Sequence, residues 1–307
     1  MEKSNNDKRP QRMNMTVMRQ LLSSKFEETE SEFFFSKDLG ISQGANFFKG
    51  IVESSGGQPF VVEDYRFGVV ITGEIDVTVN LIRYHRAAGS IVFIGRGSIV
   101  QMHHVSDDLT VKGFVVSDEM MGNIFPDRKP EIVASRIMNF VAEYSCDDLR
   151  FLEDIVKVAW NLVHREEYPR SSLLAALSSV IYYYDHLYKK VVHPDQQTEE
   201  NSRAREVFTS FIALVNREAS RERTLSYYAD KLCLSPRYLS TLIRQQSGQP
   251  AKYWIDQATI IQAKVLLRHT TKSVSQIADE LHFPNDSFFC KYFRRLTGLS
   301  PTEYRNE

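Results

Sequence analysis

The chain has 307 residues, of which 42% are hydrophobic and 25% charged, with a formal net charge of −1. Such a length suits two domains, and the composition is that of an ordinary soluble globular protein rather than a disordered or disulfide-rich one. The overall charge points to no partner, but its distribution does: from Arg203 onward 16 Lys+Arg face 10 Asp+Glu (+6), while the remainder holds 22 against 29 (−7). An acidic sensor or assembly module joined to a nucleic-acid-binding module would carry halves of opposite sign.

The first fourteen residues are polar and read as loose, followed by one short helix over Met15–Glu28. The first twenty residues lack an apolar core, and no apolar run approaches the ~18 residues a bilayer span needs. The expectation is a cytoplasmic protein without a signal peptide. Phe47 to Ser117 has the texture of strands. In EIDVTVNLI, Ile75, Val77, Val79 and Leu81 alternate with Asp76, Thr78 and Asn80, the period-two pattern of a half-buried strand. SIVFIG, SIVQMHH and LTVKGFVVS are further β-rich runs, and short strands at this spacing predict a small antiparallel barrel or sandwich.

After Pro126 and Pro130 the periodicity becomes helical, over Glu131–Tyr144, Asp147–His164 and Ser171–Lys190. HPDQQTEENSR, His193 to Arg203, has no apolar residue and reads as a linker. The chain is then helical to its end, over 204–219, 225–232, 236–246, 250–268, 274–281, 286–296 and a last turn at 301–305. Gly248 and Gly298 stand where helix C-caps belong. The three cysteines, Cys146, Cys233 and Cys290, are too dispersed for a disulfide framework or a metal knuckle.

The C-terminal segment contains a repeat. TLSYYADKLCL aligns with SVSQIADELHF at an offset of 49, pairing Leu225 with Val274, Ala229 with Ala278 and Leu232 with Leu281. Beyond the turn the offset becomes 50, pairing Leu239 with Phe289, Ile243 with Phe293 and Arg244 with Arg294. Each copy reads as helix, short turn, helix, with a small alanine at the crossing: a helix-turn-helix. With the apolar positions turned inward, Arg237, Ser240, Thr241 and Arg244 lie on the outer face of the first unit. Asp286, Ser287, Lys291, Arg294 and Arg295 lie on that of the second. Arginine can pair bidentately with guanine, and Ser or Thr hydroxyls reach bases or phosphates, whereas cations near helix ends more often position the protein on phosphate. The connecting helix, Ala251–Arg268, spans ~27 Å, enough for two recognition helices ~34 Å apart in successive major grooves of one duplex face.

LCLSPRYLSTLIRQQSG, IIQAKVLLRHT and FPNDSFFCKYFRRLTGLSPTEYR resemble the DNA-binding domain of the AraC/XylS family of bacterial transcription regulators, over about the last hundred residues. Carried over by position, the family's base-reading residues fall on Arg237, Ser240, Thr241, Ser287 and Lys291. Family members often have Gly before the aromatic residue that opens the second turn; here His282 precedes Phe283. The resemblance implies an α+β multidomain fold: a cupin-like antiparallel β-barrel over 1–126, a helical dimerisation segment over 127–192, a linker over 193–203 and the DNA-binding domain over 204–307.

It also implies a dimeric transcription regulator, activator or repressor, with double-stranded DNA and RNA polymerase as partners and a small-molecule effector in the barrel. No enzymatic activity and no cofactor are expected. GSIVFIGRGSIV resembles the second cupin motif, yet Val100 stands where its metal-binding histidine belongs, and Arg66 occupies the carboxylate place of the first motif. His85, His103 and His104 remain, and adjacent His103 and His104 point to opposite faces of a strand. The alternatives are a cupin metalloenzyme fused to a DNA-binding domain, or a regulator whose barrel only dimerises.

Overall fold

The computed structural model describes residues 12–22, 33–44, 51–52, 57–134, 139–143, 145–167, 169–192 and 199–306. Residues 1–11 and 193–198, read as loose and as linker, lie outside them, as does the 23–28 end of the first helix. The chain divides into two compact units, one formed by Arg12–Gly57 with Val61–Thr198, the other built around Glu199–Glu307.

The first unit is a β-sandwich with helices on one face. Numbered along the chain, one sheet runs in the order β1 (Arg12–Met13), β4 (Phe60–Val62), β9 (Ile99–Val105), β6 (Glu74–Val79), β7 (Ile82–Ala87). The other runs β11 (Asn139–Glu143), β8 (Ser90–Ile94), β5 (Tyr65–Thr72), β10 (Thr110–Val116), β3 (Leu39–Gln43), β2 (Phe33–Phe35). The expected closed barrel is therefore corrected. A barrel needs one continuous hydrogen-bonded ladder, whereas here each sheet ends in edge strands, β1 and β7 or β11 and β2. The alternation read in EIDVTVNLI holds over β6, where Ile75, Val77 and Val79 are buried. It then turns sharply: Asn80 and Leu81 both have positive φ (48° and 79°), as a two-residue hairpin demands. The buried Asn80 side chain accepts from Ile99 N (2.9 Å) and so ties the turn to β9.

Register explains why the six-stranded sheet has two different faces. Ile41, Phe114, Phe67 and Phe93 stand opposite one another across β3, β10, β5 and β8. All four are buried, on the side covered by helices α4 (Cys146–Val163) and α5 (Arg170–Val192). Tyr184 of α5 sets its ring edge-on to Phe67 (centroids 5.1 Å) and donates its hydroxyl to Gly68 O (3.0 Å). Each aromatic side chain buried here contributes roughly 1.5–3 kcal/mol of transfer free energy. Ser145 opens α4 with a reciprocal capping box to Asp148.

Among the described residues this unit also has the short helices α1 (Met15–Leu22), α2 (Asp118–Ile124) and α3 (Glu131–Ala134). The helix expected over Glu131–Tyr144 is a second correction. Among the described residues of that stretch, Glu131–Ala134 is helical and Asn139–Glu143 is β11, paired antiparallel with β8 from Asn139↔Ile94 to Glu143↔Ser90. A short apolar run carries no periodicity long enough to separate strand from helix; the free edge of β8 decides it.

The second unit is all-α: α6 (Glu199–Glu218), α7 (Leu225–Lys231), α8 (Pro236–Ser247), α9 (Ala251–His269), α10 (Val274–Glu280), α11 (Asp286–Thr297) and α12 (Pro301–Asn306). Glu199–Arg203, read as linker, forms the first turn of α6. Two leading glutamates there suit a helix N-terminus, so polarity alone misplaces the boundary. At the centre lies α9, with eleven of its 19 residues buried, from Ala251 to Leu267.

Candidate nucleic-acid interface

Both helix-turn-helix turns are built alike. After α7, Leu234 N donates to Ala229 O (2.9 Å) and Cys233 N to Asp230 O (3.1 Å). After α10, Phe283 N donates to Ala278 O (2.9 Å) and His282 N to Asp279 O (2.9 Å). These are Schellman pairs, and they place Cys233 (φ 56°) and His282 (φ 53°) in the left-handed region, which glycine occupies without strain. The turn of the second unit is one residue longer, five between α10 and α11 against four between α7 and α8. Ala229 and Ala278, where the paired helices cross, are both fully buried.

Each second helix is capped at both ends. Ser235 accepts from Tyr238 N ahead of α8, with Pro236 at the first helical position, and Asn285 accepts from Phe288 N ahead of α11. Gly248 (φ 70°) and Gly298 (φ 83°) close them in left-handed caps. Leu239, Leu242 and Ile243 face the core from α8; Phe289, Tyr292 and Phe293 do so from α11.

This leaves Arg237, Thr241 and Arg244 exposed and Ser240 half-buried on α8, and Ser287, Lys291 and Arg294 exposed on α11. None of the cations Arg237, Arg244, Lys291 and Arg294 has an ion-pair partner among the described residues. Thr241 is partly committed, since its hydroxyl donates to Arg237 O (3.1 Å) and only its lone pairs remain for an outside donor. Asp286 accepts from Ser275 Oγ (3.2 Å), which fixes α11 to α10. Arg295 is exposed but engaged: it lies 3.7 Å from Asp256 and over the Tyr292 ring.

Two residues unremarked in the sequence brace the second unit. Arg223 sits over the Phe283 ring (3.9 Å) and donates to the carbonyls of Ser220 (3.1 Å), Leu281 and His282 (3.1 Å), so it clamps the turn between α10 and α11. Burial lowers its pKa. Asp256, buried on α9, accepts from Tyr292 Oη (2.7 Å) and pairs with Lys252 (2.9 Å). Burial first, then Asp256, pushes the Tyr292 phenol well above its usual range. Neither residue has a local sequence signature, because its partners lie up to 59 positions away.

The first unit holds a separate candidate site. Residues of both sheets line a partly open cavity of about 120 Å³, almost wholly apolar. Arg66 and Val100, the two departures from the cupin pattern, both line it. His103 is bound to Thr78 Oγ1 (2.8 Å) and His85 to Asp76 (2.8 Å), both on exposed positions. Among the described residues no three His, Cys, Asp or Glu side chains converge as a metal site would require, and no helix is long and apolar enough to cross a membrane.

Residues 228–307 match a family model described as a helix-turn-helix domain. Over 77 residues the chain is 38% identical to the arabinose operon regulatory proteins of Salmonella typhimurium and Escherichia coli, 25% of this chain and 27% and 26% of theirs. The regulatory protein PocR of Salmonella typhimurium is 31% identical over 93 residues, 30% of this chain and 31% of that protein. The chain thus spans under a third of the length of these relatives. Among solved structures, ToxT from Vibrio cholerae, bound to an unsaturated fatty acid, is 15% identical, with 81% of this chain and 88% of that one covered and a TM-score of 0.37. The C-terminal unit is a helix-turn-helix domain similar to part of these regulators.

Proposed function

We propose that the chain is a sequence-specific transcription regulator of AraC type: α8 and α11 enter successive major grooves on one face of a duplex, and the N-terminal sandwich binds a small effector. The observation that carries this reading is the duplicated helix-turn-helix, whose outward cations are left without internal partners. Surface cations tied up in ion pairs would have little to offer a phosphate or a base edge. Arg237, Ser240, Thr241 and Arg244 act on one groove, and Ser287, Lys291 and Arg294 on the next. At ~1.5 Å per residue, the 19 residues of α9 extend ~28 Å, a length compatible with one turn of B-DNA between the two readers.

The proposal extends to a cytoplasmic homodimer that contacts RNA polymerase. An effector would act through different affinities for two presentations of the DNA-binding domains. No reaction is assigned, since the relatives are regulators. A metalloenzyme would need imidazoles and carboxylates around the sandwich cavity, where Arg66 and Val100 stand instead. A sandwich that serves dimerisation alone has no need of an internal cavity.

Selection of random duplex DNA by the purified full chain, at two salt concentrations, tests the reading. Enriched sites should carry two short elements about one helical turn apart. Binding without sequence preference that disappears at high salt would sink it.

A further inference from the structure

The sandwich cavity owes its room to register. Across the inner face of the six-stranded sheet, Gly113 stands opposite Gly68. Gly113 has φ 156°, and a Cβ there would fall 2.0 Å from Phe67 O, so this position admits only glycine. Two facing residues without side chains leave the sheet's inner floor open. A site for one water takes roughly 10–15 Å³ on the same measure, so 120 Å³ has room for on the order of ten non-hydrogen atoms.

Into this apolar space the chain places two guanidinium groups, Arg66 and Arg86. They differ in what surrounds them. Arg66 donates through Nη2 to Met13 O (3.2 Å) and lies in the field of the buried Asp64. Arg86 belongs to the inward row of β7, opposite Ile75, and is held against the Tyr84 ring at 5.0 Å. The Nε of both guanidinium groups is shielded from solvent and without an acceptor, but Arg66 still has its Nη2 committed to Met13 O, whereas Arg86 has no hydrogen bond or ion pair at all among the described residues. The nearest carboxylates on β6, Glu74 and Asp76, are engaged on the outer face by His85 and Arg83. A buried guanidinium N–H without an acceptor is costly, and an anion supplied from outside would relieve it.

We infer that the sandwich binds a small apolar carboxylic acid, its hydrocarbon part over the Gly68–Gly113 floor and its carboxylate accepting from Arg86. This rests on the effector reading above and names the ligand's chemistry. The guanidinium fork matches a carboxylate in geometry and charge, and a neutral alcohol of the same length would lose the charge-assisted bonds.

The test is calorimetric titration of the full chain with octanoate, octan-1-ol and octylamine, and with 3-phenylpropionate and 3-phenylpropanol. In at least one pair the acid should bind about 10- to 100-fold more tightly than its alcohol, and the amine should not bind. Arg86→Gln should bring the acid down to the affinity of the alcohol and leave the alcohol unchanged; Arg86→Lys should keep part of the preference. Arg66→Gln should retain it. Equal binding of acid and alcohol by the unsubstituted chain, or a preference that survives Arg86→Gln or vanishes in Arg66→Gln, overturns the carboxylate assignment but not the effector site. Failure of every probe, acid or alcohol, to bind overturns the effector site as well.

Discussion

The two helix-turn-helix units share a backbone but not a chemistry. The first offers Arg237 in the opening turn of its second helix, with Ser240 and Thr241 just behind it. The second opens with Asp286, already bonded to Ser275, and places Lys291 mid-helix, with Arg294 near its end just as Arg244 is in the first. Side chains at the N-terminal end of a recognition helix reach base edges, and cations near helix ends more often meet phosphate. On the reading proposed above, the first unit has a cation at its helix start to specify sequence, while the second relies on Ser287 and Lys291 for base edges. A fold can be duplicated while the chemistry of its two copies diverges.

The strongest way to break this comparison is through the two cores that α9 joins. Phe293→Ala should cost about 3–5 kcal/mol and Ile243→Ala about 2–5 kcal/mol. Because α9 contributes buried residues to both units, amide hydrogen exchange should show either substitution loosening both together. Loss of protection confined to the substituted unit would mean that the two fold independently. Next in size, Arg223→Ala removes the clamp on the second turn and should lower stability by about 2–3 kcal/mol, as expected for charge-assisted bonds. Denaturant titration would show it, and operator selection should find the second element blurred and the first sharp.

The reading faces separate the units more finely. Arg237→Ala should cost about 1–3 kcal/mol at one base pair and relax specificity there. Lys291→Ala should weaken operator binding, and Arg294→Ala should weaken binding to all sequences alike and reduce the salt slope by about 1. A reversal, with sequence preference lost in Arg294→Ala and kept in Arg237→Ala, would exchange the roles. Smallest is the strain at the two matching left-handed residues. Cys233→Gly and His282→Gly should each raise the melting temperature, by a stabilisation of about 0.5 kcal/mol once glycine's own chain entropy is set against the relief. An effect at only one of them would show that the turns are less equivalent than their hydrogen bonds suggest.

The second half of the molecule was legible because its signals are local. Leu239, Ile243, Phe289 and Phe293 recur at helical spacing, Gly248 and Gly298 punctuate the ends, and the change of offset from 49 to 50 already marks the longer second turn. The front half was less so, for the reason that its decisive contacts are distant in sequence. Sheet closure depends on which edges meet, and the period-two pattern of Ile75, Val77 and Val79 is the same in a barrel and in a sandwich. Asn139–Glu143 takes its conformation from the edge of β8, some fifty residues earlier. Gly68 and Gly113 look like unrelated glycines until register sets them face to face. Arg86 follows His85 in a run of exposed and half-buried residues, and only the direction of β7 turns it inward.

The burial of α9 on nearly every side has a consequence for evolution. A solvent-exposed connector can lengthen or shorten freely, but a rod wedged through the core cannot gain a residue without rotating its far half by about 100° and unseating every contact there. The distance and phase between α8 and α11, the two proposed readers, are thus frozen into the fold. Operators whose elements are spaced differently must be accommodated by the DNA, through bending or twist, because the protein has no slack to give.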